Sequence, residues 1–145
     1  MALKLVAVAA LALVLAATAS AATQKRALAC LKAHHVLVAA KSPRAVTRFG
    51  VKVLKLESFS FHGIPRKVYD SGTLLFERNA ATALQAKNTL YSRFAVFEIK
   101  HSAVSPYRIR LNLRRTQFVV GNVVVIWNNY PQKRVAKRTL YACLR

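Results

Sequence analysis

Carboxylates are scarce in this chain, and their scarcity limits the catalysis that it can perform. The 145 residues include 24 Lys and Arg but only 4 Asp and Glu, so the formal net charge is +20. General acid–base catalysis by carboxylates needs two acidic groups held in different environments. The acids are Glu57, Asp70, Glu77 and Glu98. With so many cations available, we expect Glu57, Asp70 and Glu77 to pair with Arg and Lys, and the composition argues against a carboxylate-based enzyme.

Histidine and cysteine are the other residue types that can support catalysis or bind a metal ion. Cys30 and His34 are four residues apart in a predicted helix, which places them on one face. A metal site there would need two more ligands and would compete with a disulfide. A serine triad has one candidate acid, Asp70, but the adjacent Ser71 is no indication of a triad, which is defined by spatial geometry. No catalytic site, metal site or cofactor is predicted.

Two alternative functions are compatible with the same sequence. Small, basic, secreted domains can be ribonucleases, in which two imidazoles serve as base and acid and a cation stabilises the phosphorane. His62, His101 and Lys100 are the candidates for these roles, although their spacing is not specific to this chemistry. The second alternative is a structural or interaction protein, since an edge strand can accept a strand from a partner.

Basic residues near the C-terminus give a stronger functional signal. Tyr107 to Arg114 alternates apolar and polar residues, which predicts a strand with one buried face and one basic face. We expect this strand and the last helix to build one positive surface. Its residues are Arg108, Arg110 and Arg114 on the strand and Lys133, Arg134, Lys137 and Arg138 on the helix.

A positive surface of this kind binds phosphate or sulfate groups with a strong dependence on salt. Outside the cell the available polyanions are phosphate polymers of the cell wall, anionic lipid headgroups and nucleic acid. We expect nucleic acid to bind only non-specifically, because Tyr107 falls on the opposite strand face and leaves the arginines without a stacking platform. Binding of an anionic envelope component is therefore the leading prediction, and a basic surface that is merely solvated is its alternative.

Residues 1–21 have the pattern of an export signal. Lys4 gives a positive start, Leu5–Ala17 is apolar, and Ala19-Ser20-Ala21 has the small-x-small form of a cleavage site. The apolar run is shorter than the roughly 20 residues that a bilayer span needs. We predict a cleaved signal peptide and a secreted or envelope-associated domain of residues 22–145 without a transmembrane segment. A retained signal anchor is the alternative.

Cys30 and Cys143 are the two cysteines of the chain, and they lie near the two ends of the predicted domain. An even cysteine count in an exported protein predicts a disulfide, and two cysteines allow one intramolecular pairing. The bridge would close a loop that spans nearly the whole domain. Two buried free thiols are the alternative.

The elements that position these groups are organised around a long apolar run, Gln117–Trp127. Its β-branched residues favour a buried pleated surface over a helix. Gly121-Asn122 divides the run, and this pair predicts a two-residue hairpin turn, because both residue types tolerate positive φ. So apolar a hairpin must be covered on at least one face.

Hydrophobic periodicity and turn residues predict the remaining elements. Helices are predicted over Gln24–His34, from Ala80 (capped by Asn79) to about Phe94, and over Gln132–Leu144 with Pro131 at its start. Strands are predicted over His35–Ala40, Val51–Phe61, Val68–Phe76 with a turn or bulge at Asp70–Gly72, and Tyr107–Arg114, and a turn is predicted at His62–Pro65. This order favours a single α+β domain, with a mostly antiparallel sheet and helices packed on one face.

The layout resembles that of small, uncharacterised exported proteins of high-GC actinobacteria. The shared features are the signal peptide, Ala29-Cys30-Leu31, a central strand followed by a helix, the segment Gly121–Trp127, and Cys143-Leu144. These motifs are structural, so the resemblance implies a fold and an export route and implies no activity.

Overall fold

Helices and strands are interspersed along the chain, and the computed structural model describes residues 23–52, 54–61 and 70–145. Helix α1 is described over residues 23–33. The other helices are α2 (Arg44–Thr47), α3 (Ala80–His101), α4 (Pro106–Thr116) and α5 (Arg134–Leu144). The strands are β1 (Val36–Ala40), β2 (Lys55–Phe61), β3 (Ser71–Phe76), β4 (Gln117–Val120) and β5 (Val123–Trp127). The predicted signal peptide, the turn at His62–Pro65 and the start of the strand at Val68 lie outside the described residues.

The five strands form one antiparallel sheet in the order β1-β2-β3-β5-β4. The predicted α+β class is therefore confirmed. So is the predicted hairpin, because Val120 pairs with Val123 across a two-residue turn. Gly121 takes the positive φ of +57° that the turn needs, a conformation that glycine adopts without steric cost.

Asn122 supports the hairpin through its hydrogen bonds. Its side-chain Nδ2 donates to the Glu77 carbonyl oxygen at 2.7 Å. The Glu77 backbone N–H donates in return to the Asn122 carbonyl oxygen at 2.9 Å. The tip of the hairpin is thereby tied to the residue that follows β3, which holds the hairpin in register with the rest of the sheet.

Helices cover both faces of the sheet, whereas the sequence predicted cover on one face. On one face, α1 and α5 pack against Leu74, Val125 and Trp127. On the other face, α3 packs against Leu75 and Val124, and α4 lies beside α3. We call these helical layers the α1–α5 layer and the α3–α4 layer. The continuous apolar run of β5 is the pattern of a strand that is buried on both faces, so the sequence carried this signal.

The segment from Tyr107 to Arg114 lies in a helix, α4, and the predicted strand is wrong. A helix start is encoded just upstream: the Ser105 side chain accepts a hydrogen bond from the Arg108 N–H at 3.5 Å, and Pro106 lies in the first turn. Pro is suited to that place because its missing N–H has no partner there in any helix.

Alternation misled the prediction of α4 because its inward residues satisfy two periods at once. Ile109 and Leu113 are four residues apart, which fits one face of a helix as well as one face of a strand. Tyr107 decides between them. It belongs to the supposed buried face but is 75% exposed, while Ile109 is buried. In a helix Tyr107 and Ile109 point in very different directions, as this exposure requires.

Other element boundaries differ from the predictions in smaller ways. Helix α3 continues past Phe94 to His101, and α5 begins at Arg134, after Pro131. Strand β2 begins at Lys55. The Asn79 cap is confirmed: its Oδ1 accepts from the Thr82 N–H at 2.9 Å. Among the described residues, no helix has the length and apolar character that crossing a membrane requires.

Gly72 lies inside β3, where the sequence predicted a turn or bulge. It pairs with Phe59 of β2 on one side and with Trp127 of β5 on the other. The Phe59 and Trp127 rings meet across the intervening strand, with centroids 5.1 Å apart and an interplanar angle of 78°. A Cβ atom on Gly72 would collide with the Ile126 carbonyl oxygen and would lie 2.8 Å from the Phe59 ring. The missing side chain therefore makes room for this aromatic contact.

The predicted disulfide between Cys30 and Cys143 is confirmed. The two Cα atoms are 5.4 Å apart, within the usual range for a disulfide, and the bridge spans a sequence separation of 113. It joins α1 to α5, and both helices belong to the same layer. The described chain is thus crosslinked between its first and last helices.

Candidate functional site

Three of the four acidic residues are buried, so nearly all of the charged side chains on the protein surface are basic. Glu57, Asp70 and Glu77 are 4%, 0% and 6% exposed. Glu98, the remaining acid, is exposed. Glu57 forms the expected ion pair, with 3.0 Å between its Oε1 and the Lys55 Nζ. These four are all the acids in the chain, so its exposed cations have little internal compensation.

Asp70 has a structural role at the start of α5. Its Oδ1 accepts a hydrogen bond from Asn129 Nδ2 at 3.1 Å, and its Oδ2 accepts from the Lys133 backbone N–H at 3.2 Å. Lys133 is the N-cap residue of α5, and a carboxylate is stabilised near the positive end of a helix dipole. Asp70 therefore anchors this helix to the sheet, and its carboxylate oxygens are engaged in doing so.

Glu77 should make the stability of the domain depend on pH. Burial raises the pKa of its carboxyl above the ordinary value of 4.5, so the folded state keeps the proton to a higher pH than the unfolded state. Ionising the buried carboxyl lowers the stability of the folded state. This penalty is absent below the unfolded-state pKa and grows as the pH rises through the folded-state pKa. We expect Glu77→Gln to be more stable than the wild type at about pH 7, and this advantage to disappear near pH 4.

Urea unfolding of both proteins at the two pH values measures this difference. Glu98→Gln is the control, because Glu98 is exposed and its replacement should give no comparable gain at neutral pH. A wild type that becomes more stable than Glu77→Gln as the pH rises would contradict the prediction. It would mean that the ionised form of Glu77 is the favoured one in the folded state.

The arginines of α4 do not share one face. Arg110 and Arg114 are one helical turn apart, while Arg108 points roughly 160° away from Arg110 around the helix axis. The basic strand face that the sequence predicted therefore does not exist. Helix α4 presents these cations in two directions at the outside of the α3–α4 layer.

The basic residues of α5 belong to the other layer. Arg134 and Arg138 are exposed and one turn apart, and Lys133 is the N-cap residue. The Lys137 Nζ lies 5.3 Å from the centroid of the Phe118 ring, a cation–π contact that holds this lysine against the sheet edge. Because α4 and α5 cover opposite faces of the sheet, the predicted basic residues do not all share one face. The two sets approach each other only at the end of α4, where Gln132 Nε2 donates to the Arg115 carbonyl oxygen at 3.1 Å. Polyanion binding by these residues stays a prediction.

A different set of basic residues does converge. Between α2 and α3 lies a surface groove with a volume of about 600 Å³. We call it the basic groove. It is lined by Arg48, Phe49, Ser92, Arg93, Val96, Phe97, Lys100 and His101. No acidic residue is among these lining residues, so the groove concentrates positive charge in a concave surface.

Aromatic side chains form part of the wall of the basic groove. The guanidinium of Arg48 lies over the Phe49 ring, 4.7 Å from its centroid. Phe49 in turn packs against Phe94 and Phe97, with centroid separations of 4.4 and 6.3 Å. These contacts restrict the position of Arg48, so less side-chain entropy would be lost when it binds a ligand.

His101 presents one ring nitrogen for a ligand. Its Nδ1 lies 2.7 Å from the Phe97 carbonyl oxygen. A carbonyl can only accept, so Nδ1 must carry the hydrogen, and Nε2 is left as an acceptor, or as a donor when the ring is protonated. The ring also stacks on Phe97, with centroids 4.4 Å apart, which fixes its orientation.

The basic groove was missed because its signal depends on the length of α3. Arg93, Lys100 and His101 fall at helical spacing around Val96 and Phe97, a pattern that exposes all five on one side of a helix. A helix that ends near Phe94, as predicted, conceals this pattern. Arg48 comes from a distant part of the chain, so no local pattern connects it to α3.

Other predicted chemistry is placed as follows. Sulfur and imidazole atoms of Cys30, Cys143 and His34 lie within 4.8 Å of one another, but the two sulfurs are bonded to each other. A metal ion would need both as thiolates, as the competition argument anticipated.

For the ribonuclease alternative, Lys100 and His101 lie in the basic groove, and His62 is outside the described residues, so that alternative stays a prediction.

Comparisons with protein-family models, with curated proteins and with solved structures gave no match. We therefore infer the function from the fold and the side-chain geometry of the chain.

Proposed function

We propose that this protein binds phosphate-bearing polymers through the basic groove and has no catalytic role in doing so. The observation that carries the proposal is the convergence of Arg48, Arg93 and Lys100 on one concave surface that no carboxylate lines. Three cations in one groove can contact neighbouring phosphates of one short stretch of polymer, whereas cations scattered over a convex surface contact phosphates that are far apart along it.

The charge of the whole chain supports the same function. At +20, with three of its acids buried, the protein attracts polyanions from a distance and increases their rate of encounter. That attraction alone gives no preference for one place on the surface. The basic groove supplies this preference, because its aromatic wall and its volume of about 600 Å³ favour one bound stretch of polymer over a diffuse counterion atmosphere.

The natural ligand class would be a phosphate polymer outside the membrane. This follows from the predicted export signal, since a cell-wall phosphate polymer is then the abundant polyanion that the domain meets. Arginine is suited to phosphate because its planar guanidinium can bind two oxygens at once, and both Arg48 and Arg93 line the groove. The disulfide supports an extracellular setting, since such bridges persist where thiols are oxidised.

Equal removal of charge from two places tests the proposal. The groove variant is Arg48→Gln/Arg93→Gln/Lys100→Gln, and the control is Arg108→Gln/Arg110→Gln/Arg114→Gln on α4, which removes the same charge. Fluorescence anisotropy with labelled inorganic polyphosphate gives Kd over a range of NaCl concentrations. We expect the groove variant to lose roughly tenfold more affinity than the control, and its salt slope to fall by about 1 for each lost phosphate contact.

Two outcomes of this experiment would contradict the proposal. Equal losses in the two variants would mean that affinity follows net charge alone, and the groove would not be a site. A larger loss of affinity in the α4 variant would indicate that the polyanion binds at Arg108, Arg110 and Arg114, as the sequence predicted. Thermal unfolding of each variant checks that its fold is intact, and exposed surface substitutions of this kind usually change stability by less than about 0.5 kcal/mol.

A further inference from the structure

His101 is the residue of the basic groove whose charge can change near neutral pH. It is exposed and is the last residue of α3. It lines the groove beside three cations, Arg48, Arg93 and Lys100. Arginine and lysine side chains are charged at neutral pH, whereas an imidazole ring changes its charge between about pH 5 and 8. The charge of the groove therefore depends on pH through this ring.

The hydrogen bond of the His101 ring decides what the ring can offer to a ligand. Its Nδ1 donates to the Phe97 carbonyl oxygen at 2.7 Å, so in the neutral ring Nε2 carries only a lone pair. Within the described residues, Nε2 has no hydrogen-bond partner. An ionised phosphate presents only acceptors, so it would meet the neutral ring with two lone pairs opposed. Protonation makes Nε2 a positively charged donor, which is what a phosphate oxygen binds.

The other neutral form of the ring does not relieve this mismatch. If Nε2 carried the hydrogen, the lone pair of Nδ1 would face the Phe97 carbonyl oxygen at 2.7 Å, and two acceptors would repel each other. Turning the ring over would break the same hydrogen bond. The ring also stacks on the Phe97 ring, with centroids 4.4 Å apart and an interplanar angle of 28°. His101 is therefore a good phosphate ligand only when it is protonated.

A protonated His101 has no carboxylate in the groove to neutralise it. The charged groups that line the groove with it are cations, Arg48 at the end of α2 and Arg93 and Lys100 on α3. Glu98 lies one turn before His101, but it forms no ion pair within the described residues and lines the cavity between α3 and α4. A full negative counter-charge must therefore come from a bound anion, so protonation and phosphate binding favour each other.

We propose that protonated His101 is a phosphate ligand of the basic groove and makes the groove bind polyanions more tightly as the pH falls from about 7.5 to about 5.5. This role rests on the proposed function, which is the binding of phosphate polymers in the same groove. Acidic surroundings would give the groove a fourth cation beside Arg48, Arg93 and Lys100. Neutral surroundings would remove that cation and weaken the complex.

The pH dependence of polyphosphate binding tests the role of His101. Fluorescence anisotropy at a fixed NaCl concentration gives the Kd of labelled inorganic polyphosphate, whose internal phosphates stay ionised over this pH range. Between about pH 7.5 and 5.5 we expect the wild type to gain affinity roughly fivefold more than His101→Gln does. His101→Arg is charged at both pH values. It should bind more tightly than the wild type at the higher pH and show the same small gain as His101→Gln.

Matched variants separate His101 from the other groups that titrate. His34→Gln removes an exposed histidine outside the groove, and Glu98→Gln removes the exposed acid of α3. Both variants should keep the full wild-type gain. A gain in His101→Gln as large as that of the wild type would overturn the proposal, and so would a gain that His34→Gln or Glu98→Gln loses as fully. A wild type whose affinity does not rise on acidification would overturn it without any variant.

The groove variant Arg48→Gln/Arg93→Gln/Lys100→Gln distinguishes failure of this role from failure of the proposed function. If it loses no more affinity at the higher pH than the α4 variant, the basic groove is not the site, and the role of His101 is refuted with it. If it loses more affinity while His101→Gln keeps the wild-type gain, the groove remains the site and only the role of His101 is refuted. Thermal unfolding at both pH values checks that each variant is folded.

Discussion

Removing the disulfide, as in Cys30→Ala/Cys143→Ala, is expected to lower the free energy of unfolding by about 4 kcal/mol. The bridge spans a sequence separation of 113, so in the unfolded state it closes a very long loop and removes much chain entropy. The folded state gains a further restraint between α1 and α5. Urea unfolding of the oxidised wild type and the double variant, side by side, measures the difference.

The reduced wild type separates the crosslink from side-chain packing. Cys143 is buried, so the alanine substitutions also remove apolar contacts. In the presence of a thiol reductant, the wild type should unfold close to the urea concentration at which the double variant unfolds. An oxidised wild type that unfolds at the same urea concentration as the reduced protein would contradict the prediction.

Gly72→Ala is expected to destabilise the domain by about 3 kcal/mol, at the upper end for an overpacked core. The new methyl group would meet the Ile126 carbonyl oxygen and the Phe59 ring, and neither can move freely. Phe59 and Trp127 are both 2% exposed, and the strand on each side is paired. Thermal and urea unfolding measure the loss, and near-ultraviolet circular dichroism reports whether the Trp127 environment changes.

Gly50→Ala is the matched control for this substitution. Gly50 has a φ of +79°, but a Cβ atom there would meet nothing within 4 Å. Gly50→Ala should lower the free energy of unfolding by only about 1–2 kcal/mol, the penalty for a side chain in a left-handed conformation. A loss at Gly72 no larger than the loss at Gly50 would show that the Phe59–Trp127 contact tolerates an intervening methyl group.

Local chemistry explains which elements could be predicted from the sequence. The turn at Gly121-Asn122 and the cap at Asn79 each depend on a few adjacent residues whose backbone preferences are strong. The disulfide followed from counting, because two cysteines permit one intramolecular pairing. These three predictions were confirmed.

Wrong predictions arose where two periodicities coincide or where tertiary packing decides. Ile109 and Leu113 fit both a strand and a helix, and the Ser105-Pro106 start signal was the feature that distinguished them. The basic groove joins Arg48 to Arg93, which are far apart in the chain, so it emerges only when α2 packs beside α3.

The covalent bridge between the first and last described helices also governs how the protein responds to proteolysis. A single cleavage anywhere between Cys30 and Cys143, for example in the connection at residues 102–105, releases no fragment. The two pieces stay joined and would separate on a gel only after treatment with a reducing agent. Integrity judged without a reductant would therefore overstate how much uncut chain a sample contains.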